Sequence, residues 1–329
     1  MLVRVPDYFD RFQCLAGACP NSCCTQWEVV LDEESVERYK GVEGPLGEKL
    51  RGAMTRDKEG DVCFRLDGGR CPFLDGENLC EIHRQLVQEA TCVTCREHPR
   101  FTEDYGAFCE VTLAASCPAA NDLLLGSRDV LTFREFETED LAEESDDYLE
   151  ALVQMREELL TVLTDRTRPL KERLGDFLRL AEKQQARLDE EEPEEWEAVL
   201  PRLPENALSF LAGLEALEPD WRAVLEQAEA VPAANCDEAL LERVAVYIAW
   251  RYLLKAVNDG GLWSRAAFVV FAVLVVERIA AVCGLSEALR RFSCEVEHSD
   301  ENLEAVLEAL AWGELCILMP ANDLPLCKE

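Results

Sequence analysis

The most apolar segment in the second half of the chain reads Trp263-Ser-Arg-Ala-Ala-Phe-Val-Val-Phe-Ala-Val-Leu-Val-Val-Glu-Arg-Ile-Ala-Ala-Val-Cys283. It is apolar on nearly every side when it is wound as a helix, and a helix of that kind has no solvent face. We therefore expect it to lie in the middle of a helical C-terminal domain. Its strongly apolar run, Ala266 to Val276, is too short to span a membrane and stops at Glu277.

The segments before this helix also carry apolar residues at helical spacing. The first stripe comprises Leu149, Leu152, Val153, Leu159, Leu160 and Leu163, and the second comprises Leu170, Leu174, Phe177, Leu178 and Ala181. Pro169 and Pro219 stand where a first helical turn tolerates proline, and Asn235 with Glu238 resembles a capping box. We predict an all-helical domain over residues 131–329.

The first part of the chain consists of short apolar pieces separated by turn signals such as Asp67-Gly68-Gly69. We predict a strand over Trp27–Leu31, helical character over Glu33–Arg51 and a helix over Glu81–Glu89. The acidic stretch Glu135–Glu150 indicates a boundary, and we interpret it as a solvated helix face. The predicted fold class is mainly α, with a cysteine-rich, loop-rich N-terminal metal or cluster domain (1–130) followed by the helical domain.

The balance of charge excludes one class of partner. The chain has 66 acidic and 33 basic residues, which gives a net charge of -33. Such a surface repels the phosphate backbone of nucleic acids and attracts a cationic substrate. Because Met1–Phe12 has no signal-like hydrophobic stretch and no segment reads as a membrane span, we expect a cytoplasmic protein with no membrane partner.

Cysteine is the outlying component of the composition. The chain has 16 cysteines, of which eleven lie between Cys14 and Cys117. In a reducing cytosol a dense block of thiols favours metal or iron–sulfur ligation over disulfides. The alternative role of a cysteine is that of a small buried apolar residue. We assign this role to the cysteines without shared spacing, namely Cys63, Cys109, Cys236, Cys283, Cys294, Cys316 and Cys327.

Nine cysteines remain as candidate ligands, and they are Cys14, Cys19, Cys23, Cys24, Cys71, Cys80, Cys92, Cys95 and Cys117. Thiolates bind both zinc and iron–sulfur clusters. Only Cys92 and Cys95 have the two-residue spacing that paired zinc ligands usually show, and three of the cysteines precede proline, as one ligand does in bacterial ferredoxins. The pattern favours an iron–sulfur cluster of the 4Fe–4S type, with zinc as the alternative. Adjacent Cys23 and Cys24 point in different directions, so we expect them to serve different roles.

At this point the chain resembles the flagellin lysine-N-methylase family, which is part of a wider cysteine-rich group described as zinc- or iron-chelating. The matching elements are Val5-Pro6-Asp7-Tyr8 before Phe12 and Cys14, Cys19-Pro20-Asn21-Ser22-Cys23-Cys24 with Trp27-Glu28, Arg70-Cys71-Pro72-Phe73-Leu74, Cys95-Arg96-Glu97-His98-Pro99-Arg100-Phe101, Ser116-Cys117-Pro118, Arg251-Tyr252-Leu253-Leu254-Lys255-Ala256 with Asp259-Gly260, and Glu297-His298-Ser299-Asp300-Glu301-Asn302-Leu303. These motifs extend over nearly the whole chain. The departures from the family are His83 and His98, which stand where tyrosine is usual, and the looser spacing around Cys14.

The resemblance implies a cluster-bearing protein that transfers methyl groups from S-adenosylmethionine to lysine side chains of a protein such as flagellin. No Gly-x-Gly-x-x-Gly fingerprint follows a strand in this sequence, so a Rossmann-type cofactor cradle is not expected. An iron of the cluster with an open coordination position is one way to anchor the amino acid end of the cofactor.

Two kinds of side chain are candidates for cofactor and substrate binding. The attacking lysine must be neutral, which favours an aromatic slot, and Tyr8, Tyr105 and Tyr252 could line it. Core packing is the ordinary role of such tyrosines. Arg96 and Arg100 could hold a carboxylate of the cofactor or substrate, with helix-end ion pairs as the ordinary alternative. No residue is assigned as the catalytic base.

A second class of function fits the same cysteines. The chain could be a non-catalytic iron–sulfur or zinc protein in metal handling or electron transfer, with its helices serving as a platform for a partner. The long helical segment favours the enzyme, because an electron carrier does not need it.

Overall fold

The computed structural model describes residues 1–25, 29–57, 60–193 and 200–318. Helices account for 55% of the chain and strands for 11%, which confirms the mainly α class. The helices are α1 Glu33–Lys40, α2 Gly44–Ala53, α3 Glu81–Leu86, α4 Val93–Glu97, α5 Pro118–Leu125, α6 Asp147–Thr164, α7 Leu170–Leu188, α8 Ala207–Gly213, α9 Trp221–Ala230, α10 Glu238–Tyr252, α11 Leu262–Cys283, α12 Leu285–Phe292 and α13 Asp300–Ala311. The strands are β1 Leu2–Pro6, β2 Met54–Arg56, β3 Val62–Phe64, β4 Arg100–Asp104, β5 Phe108–Leu113 and β6 Phe133–Glu137.

Helix α11 is the central element of the helical part, as its sequence predicts. It packs against α7, α9, α10, α12 and α13. In the described ranges it is the one helix that is long and apolar enough to cross a membrane, but 72% of its most apolar window is buried inside the protein. This burial is what a core helix of a soluble protein shows.

A four-stranded sheet stands against these helices in the order β4-β5-β1-β6. β1 runs parallel to β5, while β6 pairs antiparallel with β1 and β4 pairs antiparallel with β5. β6 lies in the region that we predicted to be all-helical, so that prediction is wrong for Phe133–Glu137. The strand is at the sheet edge and carries charged side chains, which discourage pairing with strands of other molecules. The same charges mask the alternation of apolar and polar residues by which a strand is recognised in a sequence. The acidic stretch is therefore not a helix face before α6 begins at Asp147.

Other local predictions have mixed outcomes. The predicted helical segment Glu33–Arg51 forms α1 and α2, and Glu81–Glu89 contains α3. Helix α10 begins after Asp237, whose side chain accepts a hydrogen bond from the amide of Ala239, so the predicted cap at Asn235 is wrong. Of the predicted strand Trp27–Leu31, the first two residues lie outside the described residues. Val30 forms an isolated antiparallel bridge with Cys63.

The buried apolar residues form two separate cores. The larger contains residues of the sheet, such as Phe108 and Leu113, together with Tyr8 and residues of α5–α13. The smaller consists of Leu31, Tyr39, Leu46, Leu50, Phe64, Phe73, Ile82 and Cys92. The smaller core thus belongs to a cysteine-rich insert between β1 and β4, and the larger core belongs to the rest of the chain. The domain boundary at residue 130 stays a prediction. Leu124 and Leu131, which lie on either side of it, belong to the same larger core.

Candidate metal centre

Cysteines that are far apart in the sequence line a single cavity beside the smaller core. Six of the nine candidate ligands contribute to its wall, and these are Cys23, Cys24, Cys71, Cys80, Cys92 and Cys95. The other lining residues are Val29, Tyr39, Phe64, Leu66, Ile82 and Thr91. The cavity volume is about 30 Å³, whereas roughly 10–15 Å³ holds one water molecule. The space therefore exceeds that of one water molecule.

Backbone pairing brings the cysteine segments together. The amide of Cys71 donates a hydrogen bond to the carbonyl of Cys24 at 2.8 Å. Leu74 and Cys80 form an antiparallel bridge, which folds the chain back so that Cys80 precedes the first turn of α3. Cys92 holds the same position at α4, and Cys95 lies within that helix.

Asp32 connects two of the elements that surround the cavity. One carboxylate oxygen caps α1 by accepting from the amide of Ser35 at 2.8 Å, and the other accepts from the amide of Val93 at 2.9 Å. Burial raises the pKa of Asp32, but the hydrogen bonds from Val93 and Ser35 outweigh this effect, so the pKa is lowered. The ionised carboxylate thus fixes the start of α4, with Cys92, against the start of α1.

The thiols of the cavity differ in their tendency to ionise. A hydrogen bond from the Cys23 thiol lowers the pKa of Cys24 to about 7. A hydrogen bond from the Cys95 thiol likewise lowers the pKa of Cys92. Burial raises the pKa of Cys71 to about 11. Two neighbouring thiol pairs therefore each present one sulfur that ionises easily, which is the form that binds metals.

The other three candidate ligands do not line this cavity. Cys14 is exposed, Cys19 donates from its Sγ to the carbonyl of Asn21 at 3.2 Å, and Cys117 precedes α5. Burial raises the pKa of Cys19 and of Cys117, and the charges of nearby thiols, Cys14 among them, raise both further. These three cysteines thus form a neighbouring group. Cys23 lies near this group. Its pKa is raised mainly by its hydrogen bond to Cys24 and by burial, and the charges of Cys14 and Cys117 raise it further.

The donor set can be compared with the inorganic groups that the sequence suggests. Among the residues with described positions, no three His, Cys, Asp or Glu side chains stand where they could hold a metal ion. The six thiols line the cavity, but no three of them are close enough together to coordinate one metal ion. Tyr39 also lines the cavity, and its buried hydroxyl has no hydrogen-bond partner among the residues that the structure describes. The lining sulfurs are soft donors of the kind that bind zinc and iron–sulfur clusters alike.

The two candidate arginines have different surroundings. The Arg96 guanidinium donates to the carbonyls of Glu89 and Thr91 and forms an ion pair with Glu97, so it fixes the loop before Cys92. Arg100, at the start of β4, lies over the rings of Phe9 and Phe12 at 5.7 and 5.2 Å. In the part of the chain that the structure describes, Arg100 has no carboxylate partner. It is therefore the better placed of the two to bind a carboxylate.

Two of the three candidate tyrosines, Tyr8 and Tyr252, are buried in the larger core. Tyr252 donates a hydrogen bond to Glu297 at 3.1 Å, and Tyr247 contacts the same carboxylate at 3.2 Å. Arg251 pairs with Glu297 at 3.3 Å. The charge of Tyr247 adds to the effect of burial in raising the pKa of Tyr8, which places Tyr8 beside this cluster.

Tyr8 and Tyr252 are only 1% and 2% exposed, so no open aromatic slot exists at either residue. The third candidate, Tyr105, is half-buried and packs on Phe108, with 5.2 Å between the ring centres. The function of all three stays a prediction.

Two histidines from distant segments meet beside this tyrosine cluster. His298 follows a π-helix, Ser293–Glu297, and its Nε2 lies 2.5 Å from the hydroxyl of Ser116. The ring centres of His98 and His298 are 5.9 Å apart. Burial, with a smaller effect from Arg251, lowers the pKa of His98 to about 4 and that of His298 to about 3, so both are neutral at neutral pH. The sequence motifs around these histidines thus converge in space.

The cysteines interpreted as packing residues have different environments. Cys63 and Cys294 are buried, and Cys109, Cys236 and Cys283 are half-buried. Cys316 is disulfide-bonded, so its interpretation as a packing residue is wrong. Cys327 lies outside the described residues.

Comparison with known proteins confirms the resemblance to the lysine-N-methylases. A lysine-N-methylase of Salmonella typhimurium is 25% identical over 139 residues, and a flagellar biosynthetic protein FliU of Salmonella muenchen is 25% identical over 145 residues. Each match covers 40% of this chain, together with 35% of the methylase and 82% of FliU. A second lysine-N-methylase, from Salmonella choleraesuis, matches similarly over 35% of its length. The chain therefore spans about a third of the two methylases. No family model and no solved structure matches it.

Proposed function

We propose that this chain is a protein-lysine N-methyltransferase that takes its methyl group from S-adenosylmethionine and holds a 4Fe–4S cluster in the cysteine cavity. The observation that carries the proposal is the gathering of six thiols around one cavity in a chain similar to proteins named lysine-N-methylase. The ligands would come from the six cavity cysteines, of which Cys24 and Cys92 ionise most easily.

The cluster, when bound with one iron free of protein ligands, supplies a coordination position for the amino acid end of the cofactor. Arg100 would hold the cofactor carboxylate, because its guanidinium has no other anionic partner among the described residues. A fixed carboxylate orients the methyl group for in-line attack by the lysine nitrogen. The stacking of Arg100 on Phe9 and Phe12 limits the directions in which the guanidinium can point.

The substrate in this proposal is a lysine-bearing protein such as flagellin, and the reaction takes place in the cytoplasm. The name of the FliU relative supports a flagellar partner. The net charge of -33 favours encounter with a cationic surface. The negative charge also disfavours nucleic acid as a competing partner.

A non-catalytic iron–sulfur or zinc protein is the second candidate function. The observation that favours it is the burial of Tyr8 and Tyr252, which leaves no aromatic slot for a lysine at those residues. Such a protein would bind the metal group in the same cavity but would not bind the methyl donor.

The first experiment is a methyl-transfer assay with oxygen-free protein, labelled S-adenosylmethionine and flagellin. The proposal predicts label in lysine side chains, and it predicts that Arg100→Gln raises the KM for the methyl donor at least tenfold, because a charge-assisted contact to the carboxylate is lost. The matched control is Arg222→Gln on α9, whose guanidinium donates to the carbonyls of Ala212 and Leu214. Protein that carries a cluster but binds no methyl donor supports the second function.

A further inference from the structure

Tyr39 has a polar group that the smaller core does not use. Its side chain is 0% exposed and lines the cysteine cavity, and within the described ranges its hydroxyl has no hydrogen-bond partner. Buried hydroxyls are nearly always hydrogen-bonded, because removing one from water without a partner is costly. An unpaired hydroxyl in the wall of a cavity therefore indicates that its partner is something that the cavity binds.

Packing holds the Tyr39 ring in place. The ring stacks on Phe64 with 5.7 Å between the ring centres, and Phe64 in turn contacts Phe73 at 4.7 Å. Helix α1, which carries Tyr39, is fixed to α4 through Asp32. The hydroxyl is therefore directed by the scaffold and cannot swing out to water.

The other hydroxyl in the cavity wall belongs to Thr91, and it is already engaged. It donates to the carbonyl of Gln88 at 2.6 Å. The remaining polar atoms of the lining side chains are cysteine sulfurs. Burial raises the pKa of the Tyr39 phenol well above its ordinary value, so the phenol is protonated at neutral pH. It is thus the one hydroxyl among the lining residues with an O–H donor to spare, and it lies near Cys92, Cys95 and Cys80, whose charges add to the effect of burial on its pKa.

We propose that the Tyr39 hydroxyl donates a hydrogen bond to a sulfur of the thiolate-bound inorganic group in the cysteine cavity and thereby raises its reduction potential. The physical reason is that a donor directed at sulfur stabilises the more negative, reduced state more than the oxidised state. This inference rests on the proposed cluster but not on methyl transfer. It assigns to Tyr39 the role of tuning the potential of the group and retaining it.

The test compares wild-type protein with Tyr39→Phe, purified without oxygen, in a redox titration followed by optical absorption. Phenylalanine keeps the ring contact with Phe64 and removes only the hydroxyl. The expected result is a shift of the midpoint to more negative potential and a faster loss of iron to a chelator. The matched control is Tyr148→Phe, whose partly exposed hydroxyl contacts the carbonyl of Ala256 in the helical part, and this control should leave both quantities unchanged.

A vibrational measurement makes the test independent of protein yield. Metal–sulfur stretching frequencies of the wild type should shift in D₂O, and part of that shift should be absent in Tyr39→Phe. If wild-type protein holds iron and sulfide but Tyr39→Phe has the same potential and the same D₂O shift, this inference is wrong and the proposed centre stands. If wild-type protein holds no iron and sulfide, both are wrong.

Discussion

Single cysteines in the cavity differ in their chemistry although they share one wall. The pKa of Cys24 is lowered to about 7 by a hydrogen bond from Cys23, whereas burial raises the pKa of Cys71 to about 11. A metal group that enters the cavity must displace protons from its ligands. We infer that Cys24 and Cys92 bind first, because their protons are removed most easily.

The first prediction concerns Cys24. Replacement of Cys24 by serine should remove most of the bound iron, because the most easily ionised sulfur in the cavity is lost. The measurement is iron per protein after oxygen-free purification. The matched control is Cys236→Ser, which changes a half-buried thiol outside the cavity and should leave the iron content at the wild-type value. Equal iron loss in both variants would contradict a role for the cavity.

At the scale of elements, Asp32 does more than cap a helix. It connects the first turn of α1, a helix that carries Tyr39 in its last turn, to the first turn of α4, which carries Cys95. The Thr94 hydroxyl, which donates to the carbonyl of Val30 at 3.2 Å, and Arg38, which donates to the carbonyl of Ala90 at 3.5 Å, add two further contacts between these segments. The Asp32 contact is the only one of the three that involves a carboxylate, and the geometry of the cavity depends in part on it.

The second prediction separates the two roles of this carboxylate. Asp32→Ala should lower the free energy of unfolding by about 1 kcal/mol, which is typical for a lost helix cap, and should also accelerate iron loss. The matched control is Asp146→Ala, which removes the equivalent cap of α6, where Asp146 accepts from the amide of Leu149 at 2.7 Å. That variant should lose similar stability but keep its iron. Equal iron retention in the two variants would refute the positioning role of Asp32.

The third prediction concerns pH. Because the pKa of Asp32 is lower in the folded protein, the stability that its ionised form contributes is complete above the unfolded value of about 3.9 and is lost as the pH falls through the folded value. The difference in unfolding free energy between wild type and Asp32→Ala should thus be constant from pH 6 to pH 8 and should shrink below pH 4. Urea unfolding across this range checks it. A difference that grew in acid would have the wrong sign.

At the scale of the whole molecule, the sheet is joined to the helices through a buried ion pair. Both oxygens of Glu110 on β5 accept from Arg156 on α6 at 2.6 Å, and the two side chains are 3% and 0% exposed. Arg156 also lies 3.7 Å above the ring of Trp250 on α10. This contact binds the strand that leads towards Cys117 to the helical core.

The fourth prediction tests this connection. Glu110→Ala should lower the free energy of unfolding by about 3–5 kcal/mol, because it leaves the Arg156 charge buried without a partner. The double variant Glu110→Leu with Arg156→Met should recover most of the loss, since neither charge remains. The exposed pair of Lys40 and Glu37 provides the comparison, and Glu37→Ala should cost less than about 1 kcal/mol. Thermal unfolding of the four proteins measures these differences.

The sequence predicts those parts of the molecule that local pattern controls. Helix α11 is predictable because it is apolar all round, and the cysteines stand out by their number. The pairing of β1 with β5 depends on residues about a hundred positions apart, so no local pattern reveals it. The separation of the cavity cysteines from Cys14, Cys19 and Cys117 depends on tertiary packing for the same reason. Asp32 and Tyr39 were missed because an acidic cap and a helix tyrosine are common in any sequence.

The central claim is that the cavity cysteines hold an iron–sulfur cluster, and one measurement tests it most directly. Protein purified without oxygen is analysed for iron, acid-labile sulfide and zinc, and its optical and magnetic spectra are recorded before and after reduction. The account predicts four iron and four sulfide per chain, the composition of a 4Fe–4S cluster, with an absorption that bleaches on reduction. Stoichiometric zinc without sulfide, or wild-type spectra in a variant in which all six cavity cysteines are serine, would contradict it.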